Sequence, residues 1–165
     1  LRAVRAFDCP LIEVTGGEPL AQPGVYALLD RLVGEFPTVL LETSGALSLA
    51  RVNPRVVRIV DLKCPSSGES ERNDWTNLEL LSQRDEIKFV IGTREDYEWA
   101  CDRIRVCDLA RRCTILMSPV TCAAGGGKGG LAAGDLADWM LRDGLTARLN
   151  LQLHKILWPE RSRGA

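Results

Sequence analysis

Short apolar runs alternate along this chain with segments of helical periodicity, and this alternation limits the fold more than any other feature of the sequence. Strands that alternate with helices or long connections form parallel sheets joined by right-handed crossovers. The sequence therefore predicts an α/β fold whose parallel strands can curve into a partial barrel. Strands are predicted at residues 11–14, 38–43, 56–62, 85–92, from 114 onwards and at 146–153, and helices after Pro23 and Thr93 and at residues 77–83 and 131–142.

Length and charge narrow the class of protein. The 165 residues suit one domain, and the net charge of −1 gives no reason to expect a nucleic-acid or anionic-membrane partner. No apolar run approaches the roughly 20 residues that span a bilayer, and no signal peptide is visible at the start. We therefore expect a cytoplasmic location. The chain begins with Leu1 rather than Met, which we interpret as the start of a fragment or of a processed product.

The six cysteines are scattered, and no two of them have the C-x-x-C spacing of zinc and redox motifs. Cys101 and Cys107 fall on the apolar face of a predicted helix, and Cys113 opens a predicted strand. Free cysteine in such places behaves as a small hydrophobic residue. We therefore interpret most of the cysteines as core residues, with metal ligation as the less favoured alternative.

Polar residues gather where the predicted strands end. The first strand runs into Thr-Gly-Gly-Glu-Pro at residues 15–19, where paired glycines allow close approach of a ligand to the backbone. An ordinary strand-to-helix turn is the alternative for this stretch alone. Ligands of α/β proteins bind at the carboxyl ends of parallel strands, so a polar site for a zwitterionic or nucleoside-like ligand is predicted there. The strand-end residues are 15–18, 42–44, Asp61, Lys63, Lys88, Ser118, Gln152 and His154.

Two further features leave alternatives open. Residues 121–130 hold five glycines and Lys128, but Gly129 stands where a phosphate-binding P-loop needs Ser or Thr. We favour a surface loop there. His154 is the only histidine, and a lone histidine at a strand end is as consistent with a structural hydrogen bond as with a functional role.

The strand-end motifs together resemble the 7-carboxy-7-deazaguanine synthase family, radical S-adenosylmethionine enzymes of queuosine biosynthesis, a tRNA modification pathway. The resemblance runs from about residue 11 onwards, and Gln-Leu-His-Lys at residues 152–155 is its most specific part. The other motifs are Thr-Gly-Gly-Glu-Pro at 15–19, Glu-Thr-Ser-Gly at 42–45, Asp-Leu-Lys-Cys-Pro at 61–65 and Glu-Ile-Lys-Phe-Val at 86–90.

The resemblance implies a single domain over residues 1–165, a partial (β/α) barrel of the radical S-adenosylmethionine type. It implies a [4Fe-4S] cluster, S-adenosylmethionine and Mg²⁺ as cofactors. The implied activity is that of a carbon–nitrogen lyase, which converts 6-carboxy-5,6,7,8-tetrahydropterin to 7-carboxy-7-deazaguanine with loss of ammonia by a radical mechanism. An electron donor such as flavodoxin is implied as a partner, and homodimer formation stays open.

The resemblance also assigns residues to ligands. Gly16, Gly17 and Glu18 match the segment that holds the methionine part of S-adenosylmethionine, Thr43 and Ser44 lie beside it, and Asp61 and Lys63 match positions near its ribose and carboxylate. The family more often has Asn at the position of Ser44. The positions that match pterin contacts are Thr15, Ser118, Gln152 and His154, and some family members carry Gln where Ser118 stands.

One departure from the family pattern is large. The C-x-x-x-C-x-x-C-type segment that binds the cluster has no counterpart in this sequence, nor has the first strand with its substrate-binding and magnesium-binding residues. We therefore expect an N-terminally truncated domain, the C-terminal part of such an enzyme, which is inactive by itself. The alternatives are another radical S-adenosylmethionine protein of the activating-enzyme type and a cluster-less nucleoside-binding relative.

Overall fold

The computed structural model of the chain describes residues 2–120 and 130–158. It confirms an α/β fold with one parallel sheet of six strands in the order β1-β2-β3-β4-β5-β6. Each strand pairs with the next along the chain, so the sheet is the open, partial barrel that the sequence predicted. The strands are β1 Leu11–Val14, β2 Thr38–Thr43, β3 Val57–Leu62, β4 Glu86–Ile91, β5 Thr114–Pro119 and β6 Arg148–Leu149.

The helices are α1 Arg2–Arg5, α2 Val25–Glu35, α3 Arg94–Val106, α4 Leu109–Arg112, α5 Ala133–Arg142 and α6 Leu153–Leu157, with 3-10 helices at Pro19–Ala21, Pro65–Ser67, Ser70–Arg72 and Trp75–Leu80. Helices α2 to α5 lie between strands, whereas α1 precedes β1 and α6 follows β6. Within the part of the chain that the structure describes, no helix is both long and apolar enough to cross a membrane.

The two faces of the sheet differ in burial, which tells where the core sits. In β2 and β4 every second side chain is buried and those between are half-buried. The buried face, for example Leu41, Ile87 and Phe89, packs in the main hydrophobic core with residues of α2 and α3. The other, concave face carries the half-buried residues, including Glu42 and Lys88. Burying one face completely fixes the register, because a slip by one residue would expose the core set.

Helix α3 begins as its sequence predicts. The Thr93 hydroxyl accepts a hydrogen bond from the Asp96 backbone N–H at 3.1 Å, and the Asp96 carboxylate accepts one from Thr93 N–H at 3.2 Å. This reciprocal capping box satisfies two backbone donors that the first turn of a helix leaves without partners. The start of α2 differs slightly from the expectation. The helix begins at Val25, with Gly24 as its N-cap, and not directly after Pro23.

The prediction of an α-helix at residues 77–83 is wrong. The segment is the 3-10 helix Trp75–Leu80, the last of three in the long connection between β3 and β4. The Asn77 side chain is buried there and hydrogen-bonds to the backbone of Gly45, Leu47 and Leu49. These contacts to residues about 30 positions earlier in the chain outweigh the local helical preference.

The predicted strand at 146–153 is also wrong over most of its length. Only Arg148 and Leu149 pair with β5, and the chain then enters helix α6 at Leu153. The leucines at 149, 151 and 153 fit a strand period of two, but Leu153, Ile156 and Leu157 fit a helical period equally well. The glycine-rich stretch 121–130 lies outside the described residues except for Gly130.

Candidate functional site

The Glu18 side chain ties the end of β1 to the end of β2. Its Oε1 accepts hydrogen bonds from Leu20 N–H at 2.9 Å and from the Thr43 hydroxyl at 2.8 Å. Its Oε2 accepts hydrogen bonds from the Ser44 N–H at 2.8 Å and the Ser44 hydroxyl at 2.5 Å. Glu18 also caps the 3-10 helix Pro19–Ala21. The carboxylate thus holds two neighbouring strand ends in a fixed relation.

These hydrogen bonds also fix the charge of Glu18. Burial alone would raise the pKa of the carboxyl, but the hydrogen bonds from Ser44, Leu20 and Thr43 together lower that pKa below its ordinary value. Glu18 is therefore an anion at neutral pH. An ionised carboxylate has about four lone-pair sites, so the four intramolecular donors occupy them in this conformation.

Gly16 and Gly17 form the turn that precedes Glu18. Both have positive φ, 99° and 24°, and no heavy atom lies within 4 Å of the position that a Cβ would take at either residue. Their backbone therefore faces open space beside the strand ends. The turn is accessible to a ligand, in keeping with the glycine pattern in the sequence.

Charged residues of β2, β3 and β4 form a second group on the concave face, next to Glu18. The Lys88 ammonium contacts the Glu42 carboxylate and lies 3.7 Å from Oδ2 of Asp61. The same Oδ2 accepts a hydrogen bond from the Lys63 ammonium at 3.0 Å. Oε2 of Glu42 accepts one from the Thr15 hydroxyl at 3.1 Å. The result is a continuous ion-pair network across three strands.

The network contains one acceptor without a donor. Asp61 is only 8% exposed. Its Oδ1 is buried and has no hydrogen-bond partner within the described residues. A buried polar atom without a partner is costly and therefore uncommon in folded proteins. Asp61 lines a cleft, but Oδ1 itself has no exposed surface, so a donor group of a ligand reaches this oxygen only when a neighbouring side chain moves aside.

The strand ends enclose a cleft of about 250 Å³. Its walls are residues 15–17, residues 42–44, Asp61 and Lys63. Two clefts adjoin it. One of about 500 Å³ shares Ser44 and Lys63 with it and is also lined by Glu18, and one of about 420 Å³ shares Asp61 and Lys63 with it.

Most of the residues singled out in the sequence meet at these clefts, but three do not. Gly16, Gly17, Glu18, Thr43, Ser44, Asp61, Lys63 and Thr15 all line one of them. Ser118 is buried at the end of β5, opposite Val90, which lines the third cleft. Gln152 and His154 were expected at a strand end. Gln152 instead caps α6 and His154 lies exposed within it, and neither side chain has a hydrogen bond to a described residue.

Two buried asparagines support the site, and sequence reasoning missed both. The Asn73 side chain accepts a hydrogen bond from Lys63 N–H at 2.9 Å and donates one to the Lys63 carbonyl at 3.0 Å. Asn77 accepts from Leu49 N–H at 2.8 Å and donates to the carbonyls of Gly45 and Leu47. The only signal in the sequence is two asparagines in a polar loop, which equally fits an exposed turn.

The described residues do not fit an iron–sulfur cluster. Cys64 and Cys113 are buried, where desolvation raises the pKa of Cys64 to about 12 and that of Cys113 to about 11. Both are thus neutral core thiols, as expected, whereas Cys9 is exposed and Cys122 lies outside the described residues. Residues 2–120 and 130–158 hold no group of three or more histidine, cysteine, aspartate or glutamate side chains that could bind a metal ion.

The same residues do fit a zwitterionic nucleoside. A ligand can come close to the backbone of the accessible glycine turn, and the ammonium of Lys63 can pair with a ligand carboxylate. The free Oδ1 of Asp61 can accept from a hydroxyl or N–H group.

Comparison with known proteins relates the whole chain to one set of enzymes. No family model matches the chain. It is 44% identical to the 7-carboxy-7-deazaguanine synthase of Chlorobaculum tepidum over 99% of this chain and 73% of the relative. The corresponding enzymes of Koribacter versatilis and Clostridium acetobutylicum are 42% and 32% identical, each over 93% of this chain and over 71% and 68% of the relative.

A solved structure supports the fold. A radical SAM methyltransferase from Sphaerobacter thermophilus matches 91% of this chain and 54% of its own, with a TM-score of 0.59 and 17% sequence identity. At this identity the match establishes the shared architecture and not the reaction.

Proposed function

Because the chain belongs to the 7-carboxy-7-deazaguanine synthase family, we propose that its cleft binds S-adenosylmethionine and the pterin for one reaction. That reaction converts 6-carboxy-5,6,7,8-tetrahydropterin to 7-carboxy-7-deazaguanine with release of ammonia, which makes the enzyme a carbon–nitrogen lyase of queuosine biosynthesis. The observation that carries the proposal is the convergence of most of the predicted ligand-binding residues at two adjoining clefts. In α/β proteins, ligands bind at this carboxyl edge of the sheet.

The residues of the cleft take distinct parts in this proposal. The Gly16–Gly17 backbone and the Glu18 carboxylate face the methionine part of S-adenosylmethionine, and the Ser44 hydroxyl gives way so that the ligand's ammonium can bond to Glu18. Thr43 stays on Glu18 and keeps it oriented. Lys63 pairs with the ligand carboxylate, and Asp61 accepts from a donor of the nucleoside.

The pterin contacts are the less direct part of the proposal. Thr15 lines the cleft. Ser118 lies near the end of β5, two strands beyond β3, which is the farthest strand that the cleft reaches. Gln152 and His154 are assigned to the pterin on the Gln-Leu-His-Lys motif alone, since the structure places them on and beside α6.

S-Adenosylmethionine, when bound, supplies the radical that starts the rearrangement. The protein's own residues bind and orient the two ligands. The described residues hold no set of ligands for the [4Fe-4S] cluster or for Mg²⁺, so the roles assigned above concern binding alone. We also propose that the protein works in the cytoplasm and receives electrons from a donor such as flavodoxin. A homodimer is the assembly to test.

A direct experiment uses the complete gene product that contains this chain. The protein is reconstituted anaerobically with iron and sulfide and given S-adenosylmethionine, dithionite and 6-carboxy-5,6,7,8-tetrahydropterin. We expect 7-carboxy-7-deazaguanine by mass spectrometry and an equal amount of ammonia. S-Adenosylmethionine binding without turnover of the pterin would instead favour the activating-enzyme type or the cluster-less nucleoside-binding relative.

The binding part of the proposal has its own control. Glu18→Ala should lose most of the affinity for S-adenosylmethionine in isothermal titration calorimetry. Glu79→Gln, which changes an exposed glutamate that does not line the cleft, should keep it. Binding that persists in Glu18→Ala would contradict the assigned site.

A further inference from the structure

The concave face of the sheet concentrates negative charge next to the cleft. Strand register places Glu13, Glu42, Asp61 and Glu86 on this face, across the four strands β1 to β4. Burial and the nearby carboxylate of Glu42 raise the pKa of Glu13, while Lys88 opposes that rise. Carboxylates this crowded need cations among them.

Lys88 is the cation at the centre of this group. Its side chain is 13% exposed and it lies opposite Asp61 in the register of β3 and β4. Burial would lower the pKa of its ammonium, but Glu42 and Asp61 together raise that pKa above its ordinary value. Lys88 is therefore a half-buried, charged link between the ends of β2 and β3.

The link determines which oxygens remain for a ligand. Both oxygens of Glu42 are occupied, one by Lys88 and one by the Thr15 hydroxyl. Oδ2 of Asp61 faces both Lys88 and Lys63, which leaves the buried Oδ1 without a donor among the described residues. The ion pairs therefore fix the orientation of Asp61 and leave its buried Oδ1 as the one oxygen of this group without a donor among the described residues.

We propose that Lys88 is a positioning residue of this cleft, whose ammonium holds the Glu42 and Asp61 carboxylates together and leaves Oδ1 of Asp61 to accept a hydrogen bond from S-adenosylmethionine. The inference rests on the proposed function, because it takes S-adenosylmethionine as the ligand. Lys88 acts through Asp61 and Glu42 and does not itself touch the ligand. Nothing in the sequence assigned it a role beyond its place at a strand end.

The first test measures S-adenosylmethionine affinity of the complete protein by isothermal titration calorimetry. Lys88→Met removes the charge at nearly constant length, and we expect it to weaken binding by about tenfold or more, since the Glu42 and Asp61 carboxylates lose their shared cation. Lys88→Arg keeps the charge and should bind within about threefold of wild type. Arg111→Met, which removes an exposed cation of a surface ion pair, should leave the affinity unchanged.

A rescue experiment separates positioning by charge from simple packing. Lys88→Ala should regain affinity when propylammonium is added and should not regain it with 1-propanol, a neutral molecule of similar size. Equal rescue by both, or wild-type affinity in Lys88→Met, would overturn the assignment. If Lys88→Met does not fold, Lys88→Gln takes its place with the same expected loss, because it can still donate a hydrogen bond to Glu42 but carries no charge.

A measurement without ligand keeps this proposal distinct from the proposed function. In Lys88→Met we expect faster amide hydrogen exchange in peptides that cover residues 42–45 and 61–63, with no change around α5. If wild-type protein does not bind S-adenosylmethionine but both strand ends loosen in the variant, the proposed function fails and the link by Lys88 stands. If the wild type binds and neither exchange nor affinity changes in the variant, the proposal for Lys88 fails alone.

Discussion

At the scale of single residues, Glu18 shows how one side chain can serve both the fold and a ligand. It caps a 3-10 helix and accepts from Thr43 and Ser44 on the neighbouring strand end. Hydrogen bonds to an ionised carboxylate are stronger than those between neutral groups. The same strength that orders the turn also holds the negative charge at the edge of the cleft.

Glu18→Gln tests this double role through stability. The amide replaces one acceptor oxygen by an N–H₂ group that faces two donors, so we expect a loss of about 1–3 kcal/mol in the free energy of unfolding at pH 7. Urea denaturation measures it, with Glu79→Gln as the exposed control. A variant as stable as the control would contradict the hydrogen-bond arrangement.

The pH dependence of Glu18 has a definite sign. Its pKa in the folded protein lies below the ordinary value of 4.5, so the ionised carboxylate contributes full stability above about that pH. The contribution is lost as the pH falls through the depressed pKa of the folded state. As the pH falls from 5 through the depressed pKa, the free energy of unfolding should therefore decrease less in Glu18→Gln than in wild type. Urea titrations at steps of about half a pH unit measure this difference.

Gly45 is the residue where the backbone itself constrains the sequence most. Its φ is 72°, and a Cβ there would lie 2.8 Å from Cγ1 of Val60. Gly68 has nearly the same φ, 71°, with nothing within 4 Å of its Cβ position. Gly45→Ala should therefore cost about 1–3 kcal/mol more unfolding free energy than Gly68→Ala, because only the first adds an overpacked contact to the backbone strain. Equal losses of unfolding free energy in the two variants, by thermal or urea unfolding, would show that the Val60 side chain can move away from the added Cβ.

At the scale of elements, the connection between β3 and β4 determines how the site is held. It contains three 3-10 helices, and buried asparagine side chains attach it to the β2–β3 connection and to the end of β3. Backbone groups that would otherwise be buried without partners receive them from Asn73 and Asn77. The long loop is thus part of the wall of the cleft and not a loose excursion.

Asn77→Ala should disrupt this attachment. It leaves the N–H of Leu49 and the carbonyls of Gly45 and Leu47 without their partners, which we expect to cost about 2–4 kcal/mol of unfolding free energy. Amide exchange at residues 45–49 should rise by more than at β5. Asn77→Asp keeps the acceptor for Leu49 but turns a carboxylate oxygen towards the two carbonyls at a buried position, so at neutral pH it should lose at least as much stability as Asn77→Ala. A smaller loss in Asn77→Asp would contradict the two donor bonds.

The elements also show why the sequence predicts some parts of the fold and not others. The strands at 11–14 and 38–43 match their predicted bounds, because apolar runs there end abruptly at glycine, proline or polar residues. The pattern at 149–157 fits both periods, so the sequence alone could not distinguish β6 from α6. The roles of Asn73 and Asn77 depend on partners 10 to 32 residues away, which only the folded sheet brings near.

At the scale of the whole molecule, the two edges of the sheet have different tasks. The carboxyl edge holds the clefts, with a buried acceptor left free and side chains of both charges. At the amino edge, Asp85 precedes β4 and pairs with Arg58 of β3, and the Asp85 side chain is 1% exposed. There the buried charges of Arg58 and Asp85 are matched, since the Asp85 carboxylate accepts from Arg58 and from Ser82. A separation of this kind lets one edge be stabilised fully while the other retains unsatisfied groups for a ligand.

Asp85→Asn tests whether stability and binding are separable in this way. The substitution leaves the Arg58 guanidinium buried without its counter-charge, and removing one partner of a buried pair costs about 3–5 kcal/mol. Hydrogen bonds from Arg58 and Ser82 outweigh the effect of burial and lower the pKa of Asp85 below 3.8, so the wild type should lose this stabilisation only as the pH falls through that depressed value.

Affinity for S-adenosylmethionine, measured where the variant is still folded, should stay within about twofold of wild type, because the substitution lies at the opposite end of the strands. Asp138→Asn, on the exposed face of α5, serves as the matched control for both measurements. A large loss of affinity in folded Asp85→Asn would show that the two edges are coupled through β3 and β4, whereas a loss of stability alone would confirm that the sheet supports the cleft without taking part in it.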